Sequence, residues 1–163
     1  WTRGVSAWQR IVPAPDGSAK IAQRFFVDPY DPNRIYIIDE NAIKRSEDAG
    51  RTWRRDLSLD NAVTENGAFS YRVTSVSLTL GEGSVIRDMI FDPSERGTRF
   101  AVGNAGVFFT LNGENWMRLL STTAIPGSPV AAYFDRISDP ENRALYVAIN
   151  GRGILRLSPI PLP

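Results

Sequence analysis

The sequence predicts an all-β fold assembled from repeats of a four-stranded unit, and three observations carry that expectation. Short apolar runs rich in Ile, Val, Phe and Tyr are closed by Asp-Pro, Asn-Gly or Gly-x-Gly, the pattern of strands bounded by turns. The same order of strand and turn motifs recurs three times along the chain. A strand opening on tryptophan follows the third run in two of these copies and stands alone near the start. Thirteen Gly and 11 Pro supply the turns, while helical periodicity is hard to find.

In chain order, residues 1–15 hold a lone outer strand, Trp8-Gln9-Arg10-Ile11, with no inner strands of its own. Residues 20–57 form the first unit. Its strands are Arg24–Val27, closed by Asp28-Pro29, then Arg34–Ile38, Ala42–Ser46 and Trp53–Leu57. Residues 58–84 read as an inserted loop carrying the apolar run Val73–Leu80. Residues 85–120 repeat the unit as Val85–Phe91 before Asp92-Pro93, then Arg99–Val102, Gly106–Thr110 and Trp116–Leu120. Residues 130–158 form a final unit: Arg136-Ile137-Ser138 before Asp139-Pro140, then Ala144–Ile149 and Gly153–Leu157, with no outer strand. Successive Asp-Pro turns lie 64 residues apart (28 to 92) and 47 apart (92 to 139). A unit of about 40–50 residues with four strands has the period of a propeller blade. The expected architecture is a partial β-propeller of about three four-stranded antiparallel blades. Its strand order begins with an orphan outer strand and ends short of one, the offset of a ring closed by completing one blade from two chain ends.

A length of 163 residues allows one domain, and 42% apolar with 23% charged residues is ordinary globular chemistry. The net charge of +1 argues against a nucleic-acid partner held by bulk charge, although 17 of the 19 basic residues are Arg. The absence of Cys and His removes Ser-His and Cys-His nucleophile systems, disulfides and Cys/His zinc sites. Acid–base work would then fall mainly to Asp, Glu, Tyr or Lys. No metal and no cofactor is expected. No run approaches the ~18 apolar residues of a membrane span. Trp1-Thr2-Arg3-Gly4 lacks an initiator Met and an apolar signal core, and reads as a cut end.

Ser46-Glu47-Asp48-Ala49-Gly50-Arg51-Thr52-Trp53 fits the pattern Ser-x-Asp-x-Gly-x-Thr-Trp at every specified position. It resembles the Asp-box, or BNR repeat, of sialidase, sortilin-type and xyloglucan-hydrolase propellers. Thr110-Leu111-Asn112-Gly113-Glu114-Asn115-Trp116 resembles a degenerate Asp-box, one residue shorter and with Asn in place of Asp. Asp28-Pro29 with Asn33-Arg34-Ile35-Tyr36, and the ending Gly151-Arg152-Gly153-Ile154, are similar to the same superfamily. By local chemistry, Asp48 and Asn112 can accept turn amides, Gly50 can take positive φ, and Trp53 and Trp116 can bury a ring at the outer strand. The resemblance implies that the boxes lie on the rim, away from any ligand. Ser46, Asp48, Gly50, Trp53, Thr110, Asn112 and Trp116 are therefore read as structural. It also implies a secreted protein. Three blades make an arc more readily than a closed ring, and exposed edges invite pairing, so the remaining blades or a second copy are expected to complete the ring.

The informative position lies four residues before each Asp-Pro, where Arg24, Asp88 and Asp135 stand, with Arg87 and Arg136 adjacent. On equivalent inner strands these would converge at the mouth of a central channel. Asp88 and Asp135 are the candidate catalytic carboxylates, since a glycosidase needs an acid and a base or nucleophile. The competing reading is a solvated channel lining of Arg–Asp pairs. Arg24, Arg87 and Arg136 are candidate ligand contacts, as are Tyr71 and Arg72 in the inserted loop. A sialidase arginine triad and Tyr–Glu nucleophile pair cannot be assigned. The first functional reading is a non-catalytic binding or scaffolding module for protein or glycan ligands. The alternative is the C-terminal part of a glycoside hydrolase whose other active-site residues lie on further blades.

Overall fold

The computed structural model describes residues 24–39, 42–68, 71, 85–121, 124, 127–136, 138, 143–158 and 160. Three antiparallel sheets follow one another along the chain. The first holds β1 (Arg24–Asp28), β2 (Asp31–Ile38), β3 (Ile43–Ser46) and β4 (Arg54–Arg55), followed by α1 (Leu57–Thr64). The second holds β5 (Ile86–Phe91), β6 (Arg99–Gly103), β7 (Gly106–Thr110) and β8 (Met117–Ser121). The third holds β9 (Pro129–Asp135), β10 (Ala144–Ile149) and β11 (Gly153–Leu157). In each sheet the spatial order is the chain order, so every connection joins neighbours. This is a partial β-propeller of three blades, the last with three described strands. The expected strands Trp8–Ile11 and Val73–Leu80 lie outside the described residues.

Register aligns the central positions of the three sheets with one another. Tyr36 pairs with Phe26 and Arg45, Phe100 with Ile90 and Phe109, and Tyr146 with Tyr133 and Arg156. One face of the first sheet (Tyr36, Ile38 and Ile43) packs on Met89, Phe91, Ala101 and Phe108 of the second. The opposite face of the second (Phe100, Val102, Val107 and Phe109) packs on Phe134, Leu145, Val147 and Ile149 of the third. Both faces of the second sheet are thus covered, and every residue of β6 and β7 is buried. Strands buried on both faces read as continuous apolar runs without polar alternation, which is how Phe100-Ala101-Val102 and Val107-Phe108-Phe109 read.

Two expectations are corrected. The inserted stretch opens with a helix, α1, not with the irregular chain its sequence suggests. Asp56 caps it by accepting from the Leu59 amide at 3.0 Å, and it buries Leu59 and Val63 one turn apart. In the third sheet the inner strand is β9, ending at Asp135, rather than a strand running into Asp139-Pro140. Since Tyr133 occupies the register of Phe26 and Ile90, Asp135 is the counterpart of Asp28 and Asp92, the turn aspartates.

Candidate functional site

The inner strands β1, β5 and β9 line a cleft of about 500 Å³ that includes Phe25, Tyr30, Asp88, Tyr133 and Arg136. Most of the charged groups around it are held by neighbouring backbone or by each other. Arg24 on β1 donates to the Arg87 carbonyl on β5, and Arg87 donates to the Pro129 carbonyl on β9 at 3.2 Å. The Asp88 carboxylate accepts from the Met89 amide at 2.9 Å and from the Ala132 amide of β9 at 2.9 Å. These bonds tie each inner strand to the next.

Asp135 does not join Asp88. The register places Ala131, paired with Ala148, at the level of Arg24 and Asp88. Asp135 lies four residues further along, about 13 Å at ~3.3 Å per strand residue. Its carboxylate accepts from the Ser138 amide at 3.0 Å, as Asp28 does from Tyr30 and Asp92 from Ser94. The Asp135 expectation fails because Asp135 is itself the turn aspartate, followed by Arg136, while the Asp139-Pro140 dipeptide four residues downstream imitates the repeat.

Arg136 crosses to the second sheet, donating to both Asp92 carboxylate oxygens (2.8 and 3.0 Å) and to Glu95 at 3.2 Å. Burial opposes its charge, but these two carboxylates outweigh burial and raise its pKa. Phe25 is 68% exposed, whereas Met89, at the same register position of the second sheet, is 6% exposed. Tyr133 is 62% exposed where its counterpart Ile90 packs into the core. Both aromatics stand where a neighbouring sheet packs elsewhere in the arc. Tyr30, in the turn after β1, is exposed outside any such face.

Tyr71 lies apart from the cleft, beside α1. Its hydroxyl donates to Asp60 at 2.9 Å, and Asp60, almost fully buried, also accepts from the Ile43 amide at 2.8 Å and from Arg55. Burial, reinforced by the bond to Asp60, pushes the Tyr71 phenol up in pKa, the wrong direction for a nucleophile. Arg72 lies outside the described residues.

In the hairpin between β3 and β4, Asp48 accepts from the Thr52 hydroxyl (2.6 Å), the Thr52 amide (2.8 Å) and the Ser46 hydroxyl (2.7 Å). The Ser46 oxygen in turn accepts from the Gly50 amide at 2.8 Å, and the Trp53 indole donates to the Gly50 carbonyl at 2.9 Å. Gly50 takes φ 84°, and so does not strain the reversal. In the second hairpin Asn112 accepts from the Glu114 and Asn115 amides, each at 2.9 Å, and Thr110 accepts from Gly113 at 3.0 Å. The Trp116 amide donates to Ser58 of α1 at 2.9 Å.

The sequence reading missed a buried ionic group between the first two sheets. Arg45, 3% exposed, donates to the Gly113 carbonyl and pairs with Glu114 and with Asp56 (3.4 Å). Its signal was available: a lone Arg alternating with Ile43 on the covered face of a strand needs a partner across that face. Among the described residues no group of three or more Asp or Glu could hold a metal ion, and no helix is long and apolar enough to cross a membrane.

No protein-family profile matches the chain. It is 26% identical over 136 residues to a probable oligoxyloglucan-reducing end-specific xyloglucanase of Neosartorya fischeri, covering 78% of this chain and 14% of that protein. Among solved structures it resembles a GH74 xyloglucanase from Xanthomonas campestris (TM-score 0.54, 16% identity), covering 86% of this chain and 21% of that one. The GH74 enzyme of Niastella koreensis gives TM-score 0.53 at 18% identity, with 83% and 21% covered. YCF48 from Cyanidioschyzon merolae gives 0.51 at 18% identity, with 94% and 43% covered. The chain therefore spans a small part of the xyloglucanases it resembles and under half of YCF48. At these identities the likeness establishes the fold, an arc of a β-propeller.

Proposed function

We propose that this chain is a non-catalytic binding and scaffolding arc of a larger propeller, presenting its blade turns and inner cleft to a protein or glycan ligand. One observation carries the reading: the two candidate carboxylates stand four strand positions apart, Asp88 within β5 and Asp135 at the end of β9, each engaged with backbone amides. An acid and base for glycoside cleavage must flank one bond, about 5–9.5 Å apart, whereas Asp88 and Asp135 are separated by more than that along the strands. The Ser46–Trp53 and Thr110–Trp116 hairpins are read as Asp-boxes with a structural role, supported by the internal bonds of Asp48 and Asn112.

The second reading, a piece of a glycoside hydrolase whose reacting groups lie outside these residues, is favoured by the resemblance to xyloglucanases. Incubating the chain with xyloglucan and measuring new reducing ends tests the first reading, which expects none. Turnover that disappears in Asp88→Asn and survives in Asp48→Asn would overturn it. A chemical-shift titration with xyloglucan oligosaccharides is expected to perturb Tyr30 and Arg136 if the cleft takes glycan, while a blank titration leaves protein as the ligand.

A further inference from the structure

The third sheet turns an apolar face away from the second. On it stand Tyr133 (62% exposed), Tyr146, Ala148 and Ile154 (71% exposed), with Arg156 at the outer strand. Register gives this face a template. The Tyr146–Arg156 pair occupies the place of Tyr36–Arg45 in the first sheet, and Ala148–Ile154 that of Ile38–Ile43. In the first sheet that face is covered by the second, and Arg45 ends on the next hairpin, at the Gly113 carbonyl and the Glu114 carboxylate. Glu114 stands two residues before Trp116.

We propose that the outward face of the third sheet docks a further blade, lying outside these 163 residues, whose outer hairpin carries a carboxylate two residues before its tryptophan. The same rule excludes a second copy of this chain from that face. The face such a copy would offer is that of its first sheet, with Phe25 and Val27 in the register of Met89 and Phe91. In its hairpin the residue two before Trp53 is Arg51, which would meet Arg156 cation to cation. The acids of that hairpin are already engaged. Asp48 is bound by Ser46 and Thr52, and Glu47 pairs with Arg34 at 3.1 Å. Glu47 also takes the place of Leu111, which packs toward the opposite side of its sheet. Like charges facing across an interface suppress the wrong partner. The outside source is supported by the share of the resembling structures that this chain covers, 21% of the Xanthomonas enzyme. The inference rests on the scaffolding reading above, but it fails separately: scaffolding fails by turnover on xyloglucan, this rule by self-association.

The test is sedimentation velocity on the chain and five variants. The wild type is expected to stay monomeric. Arg51→Glu gives a copy the missing carboxylate, and is expected to self-associate at least about tenfold more tightly than wild type. Adding Arg156→Glu restores repulsion and adding Ile154→Asp disrupts the apolar face, so either second change should return the monomer. Arg51 is exposed, so the variant should melt with the wild type. Should Arg51→Glu not fold, Arg51→Gln, which removes the repulsion alone, is expected to shift association in the same direction. Wild-type association that Ile154→Asp abolishes overturns the proposal, as does a position-51 variant that associates no more than wild type.

Discussion

The Asp48 carboxylate gathers the hydroxyls of Ser46 and Thr52 and the Thr52 amide, and each bond favours its charged form. The Thr52 hydroxyl contributes most, and the carboxyl is held at about 2 against an ordinary 3.8. A carboxyl whose pKa is lowered by folding stabilises above its unfolded value and loses that contribution as pH falls through the folded one. Asp48→Ala should therefore melt below wild type at neutral pH, and the gap should close between pH 3.8 and about 2. Circular-dichroism melts across that range check it. A gap that persists unchanged at pH 2 would show that the ionised carboxylate is not its source. Asp88 is the instructive contrast. A solvated carboxylate usually contributes little to folding, yet this one joins the amides of Met89 and Ala132 across two sheets. Asn keeps one accepting oxygen for two amides and presents an NH2 to the other, so Asp88→Asn should cost about 1–3 kcal/mol. Urea titration reads it, and an unchanged midpoint would return Asp88 to the solvated lining of the sequence reading.

At the scale of elements, α1 is held by its cap and by the ionic group behind it. Asp56 accepts from Leu59 and faces the buried Arg45. Burial raises the Asp56 pKa despite the Leu59 bond and Arg45, so its charge is carried at a cost near neutral pH, one relieved as pH falls through the raised value. Asp56→Asn keeps an oxygen for the cap and removes the desolvated charge. Asp56→Ala loses both, and with Arg45 left to Glu114 and the Gly113 carbonyl it should cost about 3 kcal/mol. Equilibrium unfolding should rank Asn well above Ala, and equal losses would mean that the charge, not the cap, holds the helix. The same element shows what sequence could and could not supply. The hairpins were legible because turn chemistry is local: Asp48, Gly50 and Trp53 bond to each other within one reversal. The eight-residue helix was not, because only Leu59 and Val63 mark its buried stripe and its cap is a single Asp. Asp135 was misplaced for a related reason. Its place is fixed by pairing with Ala144 across β10, and a stray Asp-Pro downstream offered a closer match to the local motif than the true turn did.

For the whole molecule, the arrangement of three sheets in an arc sets an order of local stability. The second sheet is covered on both faces, by Tyr36, Ile38 and Ile43 on one side and by Phe134, Leu145 and Val147 on the other. The first and third are each covered on one face, and their outward sides leave Phe25 and Ile154 exposed. Opening β6 or β7 would break both apolar interfaces, so exchange there requires something close to global unfolding. Opening β11 exposes little that is not already in water, and it breaks a ladder on one side, because among the described residues it pairs with β10 alone. Native-state hydrogen exchange should therefore find the amides of Phe100, Val102 and Phe108 slowest, with free energies approaching the global value. The amides of β11 and β1 should exchange through smaller openings. Leu145→Ala, a cavity in the interface of the second and third sheets, should cost about 2–5 kcal/mol and lower protection on both sides of that interface. It should leave the Tyr36–Ile43 side nearer to wild type. Protection of β11 equal to that of β6 would mean that its outward face is already covered in solution and would overturn this order of stability.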